Sequence, residues 1–340
     1  MVGAIIVKAN RIIGQGYHRH YGGTHAEINA FQSARESLIG ATLYVTLEPC
    51  CYHGKTPPCV EAIIQNSIGK VIIGTLDPNP RVNGSSVAIL NRHGIETKVG
   101  VLEEECRDLN EAHFKYMTTG LPLVTLKFAQ TLDGRIATAT GDSRWISSDK
   151  FQRLAHKLRA TSDAVMVGID TVLADNPQLT VRLVKGRNPT RVILDSKLRI
   201  PLEAEVVRSQ QAAPTIIATA ARADEKKLSR LREAGIEVLL TQEDEAGEVD
   251  LKHLLSLLGE KGISSILVEG GAGVITSLLR HHLADKLILA IAPKIMGKGI
   301  EAVGELNIRE VSQALKLSFR KIYRMGEDLV IEARIISPPG

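Results

Sequence analysis

Strand-like and helix-like runs alternate along nearly the whole chain, in two series separated by Gly120-Leu121-Pro122. Such alternation specifies sheets covered by helices, not a helical bundle or an all-β sandwich. In the first series, residues 2–7 and 12–17 read as a hairpin across a polar connection, and 42–47, 70–74 and 97–101 read as further strands. Helical spacing falls on 25–36, 60–66, 85–92 and the polar amphipathic stretch 103–117. This predicts a three-layer α/β unit. A glycine can end the last helix and a proline can redirect the chain, so we expect domains at 1–120 and 121–340. The second series offers strands at 123–129, 164–168, 190–194, 215–218, 236–240, 265–269 and 286–290. Its helices are expected at 149–160, 224–234, 251–258 and 273–281, and strands at 315–323 and 329–335 would complete a mixed sheet. The acidic 242–248 stretch is expected to be a solvated loop.

Composition narrows the function classes. Apolar residues make up 44% and charged residues 24%, a globular balance. Lys plus Arg is 42 against 38 Asp plus Glu, a net charge of +4, too small to argue for nucleic acid or an anionic membrane as partner. No stretch has the roughly eighteen apolar residues of a membrane span, and the first residues lack the basic-then-apolar pattern of a secretory signal. A cytoplasmic enzyme is the expectation. Of the four cysteines, Cys50, Cys51 and Cys59 lie within ten positions and Cys106 stands apart. Clustering of that kind points to metal ligation more than to disulfides.

The strongest local signal is His25-Ala26-Glu27, followed by Glu48-Pro49-Cys50 and then Cys59. One imidazole and two thiolates suit Zn²⁺ with a fourth position open to water, whose pKa the metal lowers. Glu27, two residues from His25, is then free to move protons, the division of labour of a hydrolytic deaminase. A blander reading competes: Thr24 and Glu27 also match a helix capping box. Cys51 offers the same sulfur as Cys50, and the residues alone leave that choice open. Nucleic-acid deaminases use Pro-Cys-x-x-Cys, whereas eight residues separate Cys50 from Cys59 here. The longer insert places His53, Lys55 and Thr56 beside the metal and suggests a small polar substrate, with Lys55 for a phosphate. Asp77-Pro78-Asn79-Pro80 follows a strand, where an open α/β sheet presents its ligand loops; Asp77 or Asn79 would suit a pyrimidine edge, and the same residues are also ordinary turn chemistry.

In the second series, glycines at Glu269-Gly270-Gly271-Ala272-Gly273 lie between a strand and an apolar helix, where backbone N–H groups can meet an anion. The pattern is not the G-x-G-x-x-G fingerprint, so a Rossmann domain is not supported. Trp145 is the sole tryptophan and would suit a flat ring or a core edge. Arg159, Arg182, Arg187 and Arg191 are available for phosphates; periodicity does not choose among them.

These motifs together resemble the bifunctional riboflavin-biosynthesis deaminase–reductases. The resemblance runs through His25-Ala26-Glu27, Glu48-Pro49-Cys50, His53-Gly54-Lys55-Thr56-Pro57-Pro58-Cys59 and Asp77-Pro78-Asn79-Pro80. It continues through Thr131-Leu132-Asp133-Gly134-Arg135-Ile136-Ala137, Trp145-Ile146-Ser147, Val172-Leu173-Ala174-Asp175-Asn176-Pro177 and Val268-Glu269-Gly270-Gly271. It implies a cytidine-deaminase-like domain followed by a dihydrofolate-reductase-like domain, with zinc and NADPH as cofactors. It implies that His25, Cys50 and Cys59 hold zinc, that Glu27 shuttles protons, and that His53, Lys55, Thr56, Asp77 and Asn79 touch a phosphorylated pyrimidine. In the reductase half it assigns Ala129, Trp145, Thr171, Asp175, Gly271, Ala272, Gly273 and Val274 to the cofactor. Ser143, Arg159, Leu179, Arg182 and Glu269 go to the substrate. Members of that family start further upstream, with an initial helix and an Asn-Pro segment. The resemblance therefore implies a shortened start here, one sheet face uncovered, and as an alternative a chain whose reductase alone works. Ser86 stands where a glycine is common. Two chemistries in one chain also lead us to expect a homodimer.

Overall fold

The computed structural model describes residues 1–20, 22–220 and 224–336. The chain divides into two compact units, Met1–Gly120 and Leu121–Gly340.

The first unit is built from β1 (Gly3–Lys8), β2 (Arg11–Tyr17), α1 (Ala26–Ser33), β3 (Thr42–Leu47), α2 (Cys59–Gln65), β4 (Lys70–Thr75), α3 (Ser85–Arg92), β5 (Glu96–Val99), α4 (Glu103–Leu109) and α5 (Glu111–Thr119). Its sheet runs β2-β1-β3-β4-β5. The hairpin and β3 are antiparallel, while β3, β4 and β5 are parallel. Alternation along β1 and β3 sends Ile6 and Leu43 into a core with Ala26, Ala30, Ile63 and Leu90, from the helices on that face. Ile5 and Tyr44 point the other way and are exposed. With Ile72 and Leu102 they line an open cavity of about 840 Å³.

The helix expected over 103–117 is two helices. Asn110 leaves helical geometry at φ −120°, ψ 19°. Its side-chain amide donates to the Cys106 carbonyl at 3.2 Å, the local competition with the backbone that asparagine offers. Its Oδ1 accepts from the Met1 ammonium at 2.6 Å. The helix expected over 25–36 is also shorter, ending at Ser33 with an extended Ala34.

The second unit comprises β6 (Leu123–Thr131), β7 (Arg135–Thr138), α6 (Asp149–Thr161), β8 (Ala164–Gly168), α7 (Ile169–Asp175), β9 (Thr190–Leu194), α8 (Glu205–Arg208), β10 (Thr215–Ala220), α9 (Glu225–Glu233), β11 (Glu237–Thr241), α10 (Leu251–Glu260), β12 (Ser265–Glu269), α11 (Ala272–Arg280), β13 (Lys286–Ala292), β14 (Gly299–Glu301), β15 (Lys316–Met325) and β16 (Asp328–Ile336). The described residues form a mixed sheet in the order β11-β10-β9-β8-β12-β6-β13-β16-β15. It is parallel up to β13 and antiparallel through β16 and β15. Helices α10 and α11 pack Leu254, Leu258, Ile275 and Leu278 against Val124, Leu126 and Val268. On the other face Leu228 and Leu231 of α9 cover Val165, Ile193 and Ile217. Sequence periodicity missed α7 and α8, which are seven and four residues long, too short to display a helical repeat. It also missed the β7–β14 ribbon. The acidic 242–248 stretch is a tight loop in which Asp244 Oδ1 accepts from the N–H groups of Ala246 and Glu248, each at 2.9 Å. Adjacent strands β8, β12 and β6 end side by side, so the loops leaving them share one edge of the sheet, where open α/β sheets bind ligands. No helix among the described residues is long and apolar enough to cross a membrane.

Candidate active sites

In the first unit, three ligand-type side chains meet where α1 and α2 begin and β3 ends. His25 is the N-cap of α1, Cys59 opens α2, and Cys50 follows β3 by way of Glu48 and Pro49. Their ligand atoms all lie within 4.8 Å of one another. His25 Nδ1 is 3.2 Å from Cys59 Sγ and 3.4 Å from Cys50 Sγ. These separations match the edges of about 3.5 Å expected for sulfur and nitrogen around a tetrahedral zinc ion. The donor chemistry fits as well. Cys50 is held as a thiolate, its pKa drawn down to about 4 chiefly by the Cys59 thiol donating to it and then by His25. Cys59, donating to that thiolate and buried, is pushed far up. A proton shared between two sulfurs beside an imidazole is what a divalent cation would replace. Cys51 turns away, with its Sγ 3.5 Å from the Arg81 carbonyl oxygen, so the choice the residues had left open falls on Cys50.

Glu27 is 3% exposed, and burial raises the pKa of its carboxyl. The capping-box reading of Thr24 and Glu27 is not realised, because the N-cap is His25 and no side chain caps the helix. With Nδ1 facing the sulfurs, His25 places Nε2 3.2 Å from Thr56 Oγ1. Thr56 therefore sits against the metal ligand itself, the usual place for a group that orients a ligating histidine. His53 and Lys55 lie exposed in the same turn, and a Cβ on Gly22 would touch the Lys55 stem at 3.4 Å. Asp77 Oδ1 accepts from the Asn79 N–H at 2.9 Å and pairs with His113 Nε2 at 3.0 Å. Asn79 Nδ2 reaches the Tyr52 hydroxyl at 3.3 Å. Sequence reasoning missed His113, which arrives from α5, and His18, whose ring stands edge-on to His25 at 5.5 Å. No spacing rule links either to the motif.

In the second unit, β12 ends at Glu269, and Gly270 and Gly271 both take φ +83° before α11 starts. That left-handed conformation is open to glycine and costly for other residues. A Cβ on Gly271 would come within 3.3 Å of Thr171 Oγ1. A Cβ on Gly168 would come within 3.0 Å of Val274 Cγ2. Thr171, Gly271 and Val274 thus share one neighbourhood, with Ala272 and Gly273 in the first turn of α11. That turn lacks a side-chain cap, and uncapped N–H groups beside a glycine cradle fit a phosphate. Asp175 closes α7 and pairs with Arg144 at 3.2 Å. Ser143 and the exposed Trp145 flank Arg144 in the same loop. Ala129 lies in β6, paired with Ala290 of β13.

The substrate residues named by resemblance form a second group. Arg159 grips Glu269 through Nε at 2.5 Å and Nη2 at 2.8 Å, and its Nη1 donates to the Thr180 carbonyl at 3.0 Å. Leu179 beside it is buried with φ +54°. The Arg182 guanidinium is held by Gln178 Oε1 at 2.9 Å and Thr180 Oγ1 at 2.8 Å. Burial pushes the Glu269 carboxyl up, but the charge and hydrogen bonds of Arg159 outweigh it and hold the group below the usual carboxylate range. Two members were not foreseen. Lys127 lies across from Glu269 in the β6–β12 pairing, 3.9 Å away, with its pKa lowered by burial. His156 accepts the Arg182 N–H at 2.9 Å. The signal for Lys127 was present: a lone lysine between Leu126 and Phe128 in a strand with no other charged residue.

A His/Cys cluster suited to a metal in one unit, and a glycine turn beside buried charges at a mixed sheet in the other, point to two chemistries in one chain. Comparison with known proteins agrees. Residues 1–75 match the cytidine and deoxycytidylate deaminase zinc-binding region, and residues 122–331 match the RibD C-terminal domain. The riboflavin biosynthesis protein RibD of Aquifex aeolicus is 46% identical over 97% of this chain and 90% of its own length. That of Escherichia coli is 38% identical over 97% and 92%. Among solved structures, Acinetobacter baumannii RibD superposes with a TM-score of 0.88 at 35% identity, covering 99% of this chain and 92% of that one. The Thermotoga maritima diaminohydroxyphosphoribosylaminopyrimidine deaminase/5-amino-6-(5-phosphoribosylamino)uracil reductase gives 0.84 at 40% identity, covering 98% and 92%. The chain belongs to the RibD family and is a bifunctional deaminase–reductase of riboflavin biosynthesis.

Proposed function

We propose that residues 1–120 form a zinc-dependent domain that deaminates 2,5-diamino-6-(5-phosphoribosylamino)pyrimidin-4-one. Residues 121–340 then reduce the ribosyl group of the resulting aminouracil to ribityl with NADPH. The observation that carries the first half is the meeting of His25, Cys50 and Cys59 beside a buried Glu27 whose carboxyl burial holds above the usual carboxylate range. When bound, zinc supplies the Lewis acidity that makes water a nucleophile near neutral pH. Glu27 takes the proton of the attacking water and returns it to the departing ammonia, the work of a carboxyl whose pKa burial has raised. Asp77 and Asn79 hold the pyrimidine edge, while His53 and Lys55 face its phosphoribosyl arm. Thr56 keeps the His25 ring oriented.

In the second half, NADPH supplies a hydride to the ribosyl C1 when bound. Gly271, Ala272, Gly273 and Val274 receive its phosphates; Ala129, Trp145, Thr171 and Asp175 complete that cleft. Arg182 binds the substrate 5-phosphate, and Ser143, Arg159, Leu179 and Glu269 fix its sugar. Binding both partners against one wall supplies the proximity on which hydride transfer depends.

The test follows ammonia release and NADPH oxidation separately on the purified, zinc-loaded protein. Glu27→Gln should retain zinc and lose ammonia release while still oxidising NADPH with the aminouracil substrate. Deamination surviving in Glu27→Gln would overturn the assignment of the proton shuttle. Chelation should abolish the first activity, spare the second, and be reversed by added zinc.

A further inference from the structure

Glu48 directly follows β3 and has its side chain in the interior, 3% exposed. Its Oε2 accepts from the Asp77 N–H at 3.2 Å and the Gly84 N–H at 2.9 Å, and its Oε1 from the Ser86 N–H at 3.1 Å. Its own N–H donates to the Thr75 carbonyl at 2.9 Å. Nearby, the Ser86 hydroxyl donates to the Pro49 carbonyl at 2.5 Å, a bond that a glycine at this position would lack. Helix α3 has no capping side chain of its own at Gly84. The Glu48 carboxylate therefore serves as its cap from just beyond β3, the placement an anion favours at a helix N-terminus.

The chemistry makes this an all-or-nothing junction. A buried carboxylate is tolerated only when its lone pairs are filled, and here backbone N–H groups fill them. Conversely, the donors at residues 77, 84 and 86 converge on this one acceptor group. One end of the junction is the turn that delivers Cys50. The other is the segment that carries Asp77 and Asn79.

We propose that Glu48 is a positioning residue for the deaminase half: its carboxylate clamps the segment bearing Asp77 and Asn79 to the turn bearing Cys50, keeping the substrate contacts in register with the metal ligands. This rests on the reading above that Asp77 and Asn79 hold the pyrimidine.

The clamp is tested with Glu48→Gln, whose amide nitrogen can accept from none of these donors, and with Glu48→Asp, which keeps the charge on a shorter arm. Both are examined in the full-length, zinc-loaded chain for zinc content, for amide hydrogen exchange across residues 76–86, and for kcat and KM of ammonia release from the diaminopyrimidine nucleotide. In Glu48→Gln, zinc content should stay near that of the parent. Exchange across 76–86 should quicken by tenfold or more, and KM should rise about tenfold with a smaller change in kcat, the scale set by losing charge-assisted hydrogen bonds. Glu48→Asp should recover part of both effects. Unchanged exchange, an unchanged KM despite faster exchange, or zinc lost in step with activity would each overturn the proposal. Should the parent protein release no ammonia from that nucleotide, the functional reading fails by itself, and the exchange measurement decides the clamp.

Discussion

Arg159 and Glu269 meet fork to fork, with two hydrogen bonds of 2.5 and 2.8 Å between side chains that are only 12% and 10% exposed. The pair joins α6 to the end of β12, at the point where the chain turns into the Gly270-Gly271 cradle. Lys127 adds a second cation at 3.9 Å from the same carboxylate. Three charges thus share a largely desolvated cleft at the end of β12.

Removing one partner leaves the other charge buried. Arg159→Met should therefore destabilise the second unit by about 3–5 kcal/mol, the usual cost of breaking a buried pair. Urea unfolding of the variant reads this directly. A loss below about 1 kcal/mol would mean that Lys127 alone compensates Glu269.

His156 makes the same cleft sensitive to acid. Burial first, then the charges of Arg159 and Arg182, lower its pKa to about 4, against opposing help from Glu269 and a further lowering by Lys127. A histidine depressed in the folded state binds a proton more readily once unfolded, at about 6.5. Stability is then complete above about pH 6.5 and falls as the pH drops toward 4, with a slope of at most roughly 1.4 kcal/mol per pH unit for one proton. His156→Asn, which can still accept the Arg182 N–H, should flatten the denaturation midpoint across that window. An unchanged slope would assign the acid sensitivity to other groups.

The α/β architecture was legible because the elements carry their own signals, the helical period of Leu251–Glu260 and the unbroken apolar run within the strand Ser265–Glu269 among them. The break at Asn110 was not, since a single asparagine inside an amphipathic stretch is compatible with one helix or two until its side chain is seen to bond the Cys106 carbonyl. The His25, Cys50 and Cys59 cluster could be anticipated because its donors sit in two short motifs with chemically specific residues. The groups that support it could not. His113 reaches Asp77 from 36 positions away, and Glu48 acts through backbone N–H groups, which have no residue signature. Lys127 and His156 belong to the same category: ordinary residues made consequential by tertiary burial.

Gly16 shows how backbone approach governs the metal site. A Cβ there would overlap the Ala30 nitrogen and the Ala26 carbonyl oxygen, and would lie 2.7 Å from the Asn29 carbonyl carbon. All three belong to α1, the helix that carries Glu27 and is capped by His25. Gly16→Ala should cost about 3 kcal/mol by overpacking and should weaken zinc binding, because α1 must retreat from β2. Thermal melts and zinc titration of the variant check both. Normal zinc affinity with normal stability would show that α1 can shift without disturbing His25.

The sole tryptophan supplies a probe of the reductase cleft. Trp145 is 65% exposed, and its loop is tied down by Lys294, whose ammonium donates to the carbonyls of Trp145 at 2.6 Å and Ile146 at 3.0 Å. If Trp145 lies against the nicotinamide cofactor as proposed above, NADPH should quench its fluorescence on titration. Lys294→Met removes both hydrogen bonds from a charged donor, which are worth on the order of 1.5–3 kcal/mol each where desolvated and less at a site this open. The apparent affinity for NADPH should therefore fall by about tenfold while saturating quenching stays the same, because the indole is still present but its loop is no longer held in place. Quenching unaltered in both amplitude and midpoint would show that the loop is fixed without Lys294. Absence of quenching in the parent protein would remove Trp145 from the cofactor wall.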